Sequence, residues 1–182
     1  MLREVGGSVS TGVEAPRSVV ITGAGRGLGF ASAVHLHRAG WHVVAAVRSV
    51  EEALGRLGAA LGVEAGDPRL TGVRLDLLDR DSVTEAAEMI TKVVGAPDAL
   101  VHNAGLAAAG CIEDLPWQAW QDLFHTNLFG PVLLTNALLP TMRKAGRGRI
   151  VLVSSQAGAR GVATAGAYGA SKAAAERWAE AL

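Results

Sequence analysis

The sequence predicts an α/β fold, a parallel sheet wound with helices on both faces. Three observations predict it. Short apolar runs alternate with longer helical stretches from Arg17 to Leu182. A glycine cluster, Thr22-Gly-Ala-Gly-Arg-Gly-Leu-Gly29, stands between the first apolar run and the first helical stretch. Polar or glycine residues, Thr22-Gly23, Arg48, Asp76, Asn103 and Ser155, close five successive strands. Ligands of open parallel sheets bind beyond the carboxyl ends of the strands, so these residues are expected on one rim.

The elements follow in order. Arg17–Thr22 reads as a buried strand, because it is a short apolar run that ends in glycines. Phe30–Ala39 reads as a helix closed by Gly40. His42–Val47 is a second buried strand. Ser49-Val-Glu-Glu52 has capping-box spacing and opens a helix that runs to about Leu61. The Gly, Asp and Pro of residues 62–69 mark a loop. Leu70–Leu75 is a third strand, leading to Asp76-Leu77. Asp79–Val94 is a helix with Ser82 and Glu85 at capping spacing. Ala99–Val101 is a fourth strand that runs into His102-Asn103-Ala104-Gly105. Pro116–Lys144 is long and mostly helical, with Trp117, Trp120, Phe124, Leu128 and Leu134 suited to packing, and Pro131 and Pro140 are expected to bend or break it. Arg149–Val153 is a fifth strand that delivers Ser154-Ser155. Ala165–Leu182 begins the last helix. No repeat or interdomain linker interrupts the pattern, so residues 17–182 read as one domain and residues 1–16 as a flexible tail.

Composition excludes several function classes. Of 182 residues, 49% are hydrophobic and 19% charged, which argues against disorder. Seventeen basic and seventeen acidic residues give no net charge and form no basic stripe, so neither nucleic acid nor a membrane surface is an expected partner. No apolar run approaches the roughly 18 residues of a spanning helix. Cys111 is alone, so no disulfide framework forms and the cytoplasm is the expected location. Without a neighbouring base, Cys111 reads as a packed thiol. The five histidines show no metal-ligand spacing, and no metal is expected.

The glycine cluster gains meaning from the strand before it and the helix after it. Residues without Cβ let the backbone turn tightly and approach a pyrophosphate, and a helix N-terminus favours negative charge. The spacing is G-x-x-x-G-x-G, on Gly23, Gly27 and Gly29, rather than G-x-G-x-x-G. A plain glycine-rich turn is the alternative. At the end of the second strand, a carboxylate would suit a free ribose 2′-hydroxyl and an Arg a 2′-phosphate. Arg48 stands there, and Arg26 adds a second positive charge, which favours NADP(H) over NAD(H).

Tyr168 and Lys172 are four positions apart, hence on one helix face, one turn apart. A phenol of pKa about 10 moves toward working pH beside an ammonium and can then give or take a proton.

Together, Thr22-Gly-x-x-x-Gly-x-Gly29, Asn103-Ala-Gly105, Asn127, Ser155 and Tyr168-x-x-x-Lys172 resemble the single-domain branch of the short-chain dehydrogenase/reductase family. The thirteen-position step from Ser155 to Tyr168 matches too. The resemblance runs from about Arg17 to the last residue. It implies a Rossmann-like doubly wound sheet and a hydride transfer between NADP(H) and a small carbonyl or alcohol substrate. It further implies that Tyr168 is the acid/base, that Lys172 lowers its pKa and holds the nicotinamide ribose, and that Ser155 binds the substrate oxygen. Asn127 would hold a water linking Lys172 to solvent. Thr22, Gly23, Arg26, Gly27, Leu28 and Gly29 would form the phosphate loop. Asp76 would contact the adenine with Leu77 adjacent, and Asn103, Ala104 and Gly105 would line the cofactor groove. Relatives pair through the helices around Asn127 and Tyr168, which implies a homodimer or homotetramer.

Two positions depart from the family pattern. His102 sits where another Asn is usual. The chain stops at Leu182, so the family's late strands, a Pro-Gly segment and a substrate lid are missing and the domain is expected to be C-terminally incomplete. A non-catalytic NADP(H)-binding sensor, or a truncated subunit acting through partner chains, is the alternative function.

Overall fold

The computed structural model describes residues 16–64 and 66–182. The expected flexible tail lies outside the described residues, Pro16 excepted. Five strands form one sheet: β1 (Ser18–Thr22), β2 (His42–Val47), β3 (Leu70–Arg74), β4 (Ala99–His102) and β5 (Arg149–Leu152). Their order is β3-β2-β1-β4-β5 and every pairing is parallel. Val20 sits opposite Val44 on one side and Leu100 on the other, which fixes the register at the centre. The helices are α1 (Gly27–Arg38), α2 (Val50–Leu61), α3 (Arg80–Val94), α4 (Trp117–Phe124), α5 (Gly130–Lys144), α6 (Gln156–Ala159) and α7 (Gly166–Glu180). A π-helical turn, His125–Phe129, joins α4 to α5.

Strand side chains alternate between two cores, as a period of two requires. Val19, Ile21, Val43 and Ala45 pack with Ala33 of α1 and with Ala53 and Leu57 of α2. Val20, Val44, Ala46 and Leu100 pack with Val83, Ala86 and Ile90 of α3 and with Leu134 and Leu138 of α5. Both faces are therefore covered, which is why β1 and β2 read as unbroken apolar runs. The strand order reverses direction of growth between β1 and β4, and a crevice opens beyond their carboxyl ends.

Several local expectations are corrected. Helix α1 starts at Gly27 rather than Phe30, so the glycine loop supplies its first turn. Ser49 precedes α2 but makes no side-chain cap, so the expected capping box does not form. Asp79, not Ser82, caps α3, accepting from the backbone N–H of Asp81 and Ser82. The Ser82 hydroxyl instead accepts from the Asp76 N–H at 3.0 Å. Trp117 is 72% exposed rather than packed. Pro140 does not interrupt α5; it and Asn136, whose carbonyl loses its N–H partner, are both exposed, so solvent can meet that carbonyl. Pro131 falls in the first turn of α5, where a missing N–H is tolerated.

Candidate active site

The crevice is built from two sides. On the β1 side, the Thr22 hydroxyl accepts from the N–H of Asn103 (3.1 Å) and Ala104 (3.0 Å), which ties β1 to the chain leaving β4. Asn103 returns the bond, its side-chain amide donating to the carbonyls of Thr22 (2.9 Å) and Gly23 (3.3 Å). Gly29 lies against that amide, where a Cβ would come within 2.3 Å of Asn103 Nδ2. Gly23 (φ 71°) and Gly27 (φ 56°) take the left-handed backbone that glycine tolerates. The first turn of α1 then presents N–H groups without intrahelical partners to the crevice. A Cβ on Gly27 would have no atom within 4 Å, so the space over the loop is clear.

A cavity of about 550 Å³ lies there. Gly23, Arg26, Gly27, Leu28, Arg48, Asp76, Leu77, Asn103, Ala104 and Gly105 all line it, so ten sequence-named positions meet in one space. Arg26 and Arg48 are exposed at its mouth. Asp76 accepts from the Leu78 N–H through Oδ1 at 3.1 Å, a turn role that leaves its second oxygen unengaged among the described residues. Leu77 is buried and backs the start of α5, where a Cβ on Gly130 would come within 2.8 Å of it. Arg56 also lines the cavity, stacked over Phe30 at 5.6 Å and 4.0 Å from Glu52. Sequence reading missed Arg56; its signal was a cation two turns into the helix that follows Arg48.

On the other side, Lys172 is 5% exposed and its Nζ donates to the Val153 carbonyl at 3.0 Å. Burial pulls its pKa below the ordinary lysine value, and Glu176 works against that shift. Gly105 leaves room for it, since a Cβ there would come 3.3 Å from Nζ. Tyr168 sits one turn before Lys172, half-buried, and its hydroxyl has no hydrogen-bond partner among the described residues. Asn127, in the π-helical turn, is buried. Its Oδ1 accepts from the Leu106 N–H (2.8 Å), and its Nδ2 donates to the Leu106 carbonyl (2.9 Å) and to the Ser171 hydroxyl (2.9 Å). Ser171 in turn donates to the Tyr168 carbonyl at 2.7 Å. The Asn127 side chain thus fastens the chain leaving β4 to α7.

Ser155 follows β5 and caps α6, its Oγ accepting from the Ala157 N–H at 3.2 Å. That bond uses a lone pair and leaves the hydroxyl proton available. Ser154 donates to Glu176 Oε1. Ser171 and Glu176 were missed in the sequence, though both lie at helical spacing from Tyr168 and Lys172, at i+3 and i+4. Cys111 is exposed on the loop after β4, which corrects the expectation of a packed thiol.

A second cavity, about 580 Å³, lies at the amino end of β5, lined by Met142, Arg143, Arg147, Arg149 and Leu182 among others. It is at the wrong end of the strands to share the chemistry of the crevice.

Comparison with known proteins agrees with this geometry. The chain is 40% identical over 172 residues to retinol dehydrogenase 8 of Bos taurus, which covers 93% of this chain and 54% of that protein. It is 36% identical over 177 residues to the uncharacterized oxidoreductase YbbO of Escherichia coli K12, covering 96% and 62%. It thus spans about half the length of the mammalian relative. Among solved structures, a short-chain dehydrogenase from Streptomyces avermitilis superposes with a TM-score of 0.85 at 37% identity, covering 92% of this chain and 60% of that one. An alcohol dehydrogenase from Thermococcus sibiricus, complexed with 5-hydroxy-NADP, gives 0.81 at 30% identity, covering 91% and 69%. The short chain dehydrogenase profile matches residues 17–182, the whole sheet and both sides of the crevice, and the chain belongs to that family.

Proposed function

We propose that the protein carries the nucleotide-binding and proton-handling portion of an NADP(H)-dependent oxidoreductase acting on a small carbonyl or alcohol. The observation that carries this is the approach of a buried lysine to the glycine-loop cavity: Gly105, which lines that cavity with Gly23 and Gly27, lies against Lys172, whose Nζ would be 3.3 Å from a Cβ there, and Tyr168 stands one turn before Lys172 on α7.

The donor set fits a dinucleotide. The free N–H groups at the start of α1 suit a pyrophosphate, and the exposed guanidinium groups of Arg26, Arg48 and Arg56 suit a ribose 2′-phosphate. Two carboxylates line the cavity, Glu52 and Asp76, and Glu52 lies 4.0 Å from the Arg56 guanidinium. Asp76 has an oxygen left for an adenine amine. Two similar structures support the same nucleotide class, the Thermococcus sibiricus enzyme with 5-hydroxy-NADP and an actinorhodin polyketide ketoreductase with NADPH. NADP(H), when bound, supplies the hydride in reduction and accepts it in oxidation.

The chain's own residues handle the proton. In the reductive direction Tyr168 donates its hydroxyl proton to the substrate oxygen. Ser155 donates a hydrogen bond to that oxygen and stabilises the charge that develops on it. Lys172 holds positive charge beside the phenol and favours its ionised form once the proton has left. Asn127 holds the loop and α7 in register, and its π-helical turn is the route by which a water would link Lys172 to solvent. Tyr168 reverses its role in oxidation. A reducing, cytoplasmic setting and a homodimer or homotetramer complete the reading, the first carried by the exposed, unpaired Cys111.

Purified protein is assayed with NADPH and a panel of ketones. Tyr168→Phe is expected to cut turnover by about 10²-fold or more, the usual worth of a positioned acid, while NADPH affinity by fluorescence stays within about twofold. Full turnover in that variant overturns the acid/base role. Tight NADPH binding by the wild type without turnover of any carbonyl would favour a sensor instead. Arg48→Asp is expected to lower the NADPH/NADH ratio of kcat/KM by roughly tenfold or more, as loss of a charge-assisted bond implies. An unchanged ratio rejects the 2′-phosphate assignment.

A further inference from the structure

The end of β5 is gripped by α7 at two consecutive residues. Lys172 takes the Val153 carbonyl. Glu176, one turn further along the same helix, takes the Ser154 hydroxyl. The next residue is Ser155, whose hydroxyl proton is free. We propose that Glu176 is a positioning residue of the proton-handling site: its carboxylate tethers Ser154, and so fixes where Ser155 stands, while its negative charge balances the Lys172 ammonium one turn away. The proposal rests on the reading of Tyr168, Lys172 and Ser155 given above.

Three further observations support it. The Glu176 side chain is only 21% exposed, an unfavourable place for a carboxylate unless it is compensated. Its compensation is local: Ser154 on Oε1 and the Arg177 guanidinium 3.6 Å from Oε2. Helix α6 lies directly on the pair, since a Cβ on Gly158 would come 2.7 Å from Glu176 Oε1 and 3.2 Å from Lys172 Cβ. Only a glycine lets α6 close over both side chains at once.

Glu176 is also the charged group whose field reaches Lys172. Arg177 and Glu180, on the same helix, pair with each other at 2.8 Å. From α6 no charged residue faces the lysine, and Arg160 just beyond it reaches back to Gln156. From the π-helical turn come the uncharged Asn127 and an exposed His125 whose ring engages the Gln121 carbonyl. Asp122 of α4 is held by Gln118. Burial alone pulls the Lys172 pKa down, and Glu176 holds it up.

The test separates tether from charge. Glu176→Gln keeps an acceptor for Ser154 and removes the charge. Ser154→Ala removes the tether and keeps the charge. Lys172 is one of three lysines, with Lys92 and Lys144, so its titration is readable by NMR of side-chain-labelled lysine. In Glu176→Gln, Lys172 is expected to titrate lower than in the wild type, because the charge that holds its pKa up is gone. The alkaline limb of kcat/KM for reduction should move down with it. In Ser154→Ala, kcat should fall roughly tenfold, as for a displaced catalytic group, with NADPH affinity and the Lys172 titration unchanged. An unmoved Lys172 titration in Glu176→Gln overturns the charge balance, and full kcat in a folded Ser154→Ala overturns the tether. The NMR readout needs no turnover, so the charge balance stands or falls separately from the Tyr168 assignment.

Discussion

The two sides of the crevice are held by different physics. On the β1 side, all five residues of β1 and five of six in β2 are buried, each strand has a neighbour on both edges, and helices cover both faces. On the β5 side, the strand has one neighbour among the described residues, its residues alternate between exposed and half-buried, and Val151 is 39% exposed. What fastens that side is a short series of polar ties: Asn127 to Leu106 and Ser171, Lys172 to Val153, Glu176 to Ser154, and the Gly110 N–H to the Thr164 carbonyl. Apolar burial is non-directional and places a backbone; hydrogen bonds are directional and place side chains. A nucleotide read by backbone N–H groups needs the first. A proton passed between side chains needs the second.

His102 offers the largest way to break that contrast, because it lies between the two sides. It sits at the end of β4, 1% exposed, with Nε2 and the Thr135 hydroxyl 2.8 Å apart and its ring edge-on to Trp178 of α7 at 5.8 Å. Its Nδ1 has no partner among the described residues. Burial pushes its pKa down to about 4, below the ordinary value near 6.5. A group whose folded pKa is depressed is fully stabilising above its unfolded pKa and loses that contribution as pH falls toward the folded value, because the unfolded chain takes the proton first. The loss is expected between about pH 6.5 and 4, at up to about 1.4 kcal/mol per unit and on the order of 3 kcal/mol in all. Urea unfolding across that range measures it, and His102→Asn should flatten the slope. His42, whose pKa burial also lowers, contributes in the same direction. If the two sides are as different as they look, amides of α7 lose exchange protection on acidification before those of β1 and β2. Simultaneous loss would mean that one cooperative core governs both.

The same contrast explains what could be read from the sequence. The β1 side was legible because its constraints are constraints on residue type: Gly23 and Gly27 for backbone angle, Gly29 for the amide beneath it, alternating Val and Ala for two-sided burial. The β5 side was legible only at Asn127, Ser155, Tyr168 and Lys172, through residues and spacing that match a family. Its ties run between elements far apart in the chain, such as Ser154 to Glu176, and no local period announces them. Cap choice failed for a related reason. Asp79 and Ser82 each carry a suitable oxygen, and the turn after β3 decides which one meets the free N–H groups. Four-residue α6 is too short to leave a period, and the exposure of Trp117 and Cys111 depends on where the loop after β4 travels rather than on their chemistry.

Asn127→Ala sharpens the comparison with a smaller effect. Removing the amide strands the N–H and carbonyl of Leu106 and leaves Ser171 with only the Tyr168 carbonyl. Leaving buried polar groups unpaired costs about 1–3 kcal/mol, but Leu106 is 40% exposed and water can reach part of that backbone, so the lower end, about 1–2 kcal/mol, is expected. The cost should be local. Hydrogen exchange should quicken around Leu106 and Ser171 while the β1 and β2 amides hold, since no bond of Asn127 reaches those strands. NADPH affinity should change little, because Thr22 and Asn103 close the β1–β4 end without it. If NADPH binding falls as steeply as the local stability, Asn127 acts on both sides of the crevice, and the division between an apolar-built nucleotide side and a hydrogen-bonded proton side fails at the residue where it should be clearest.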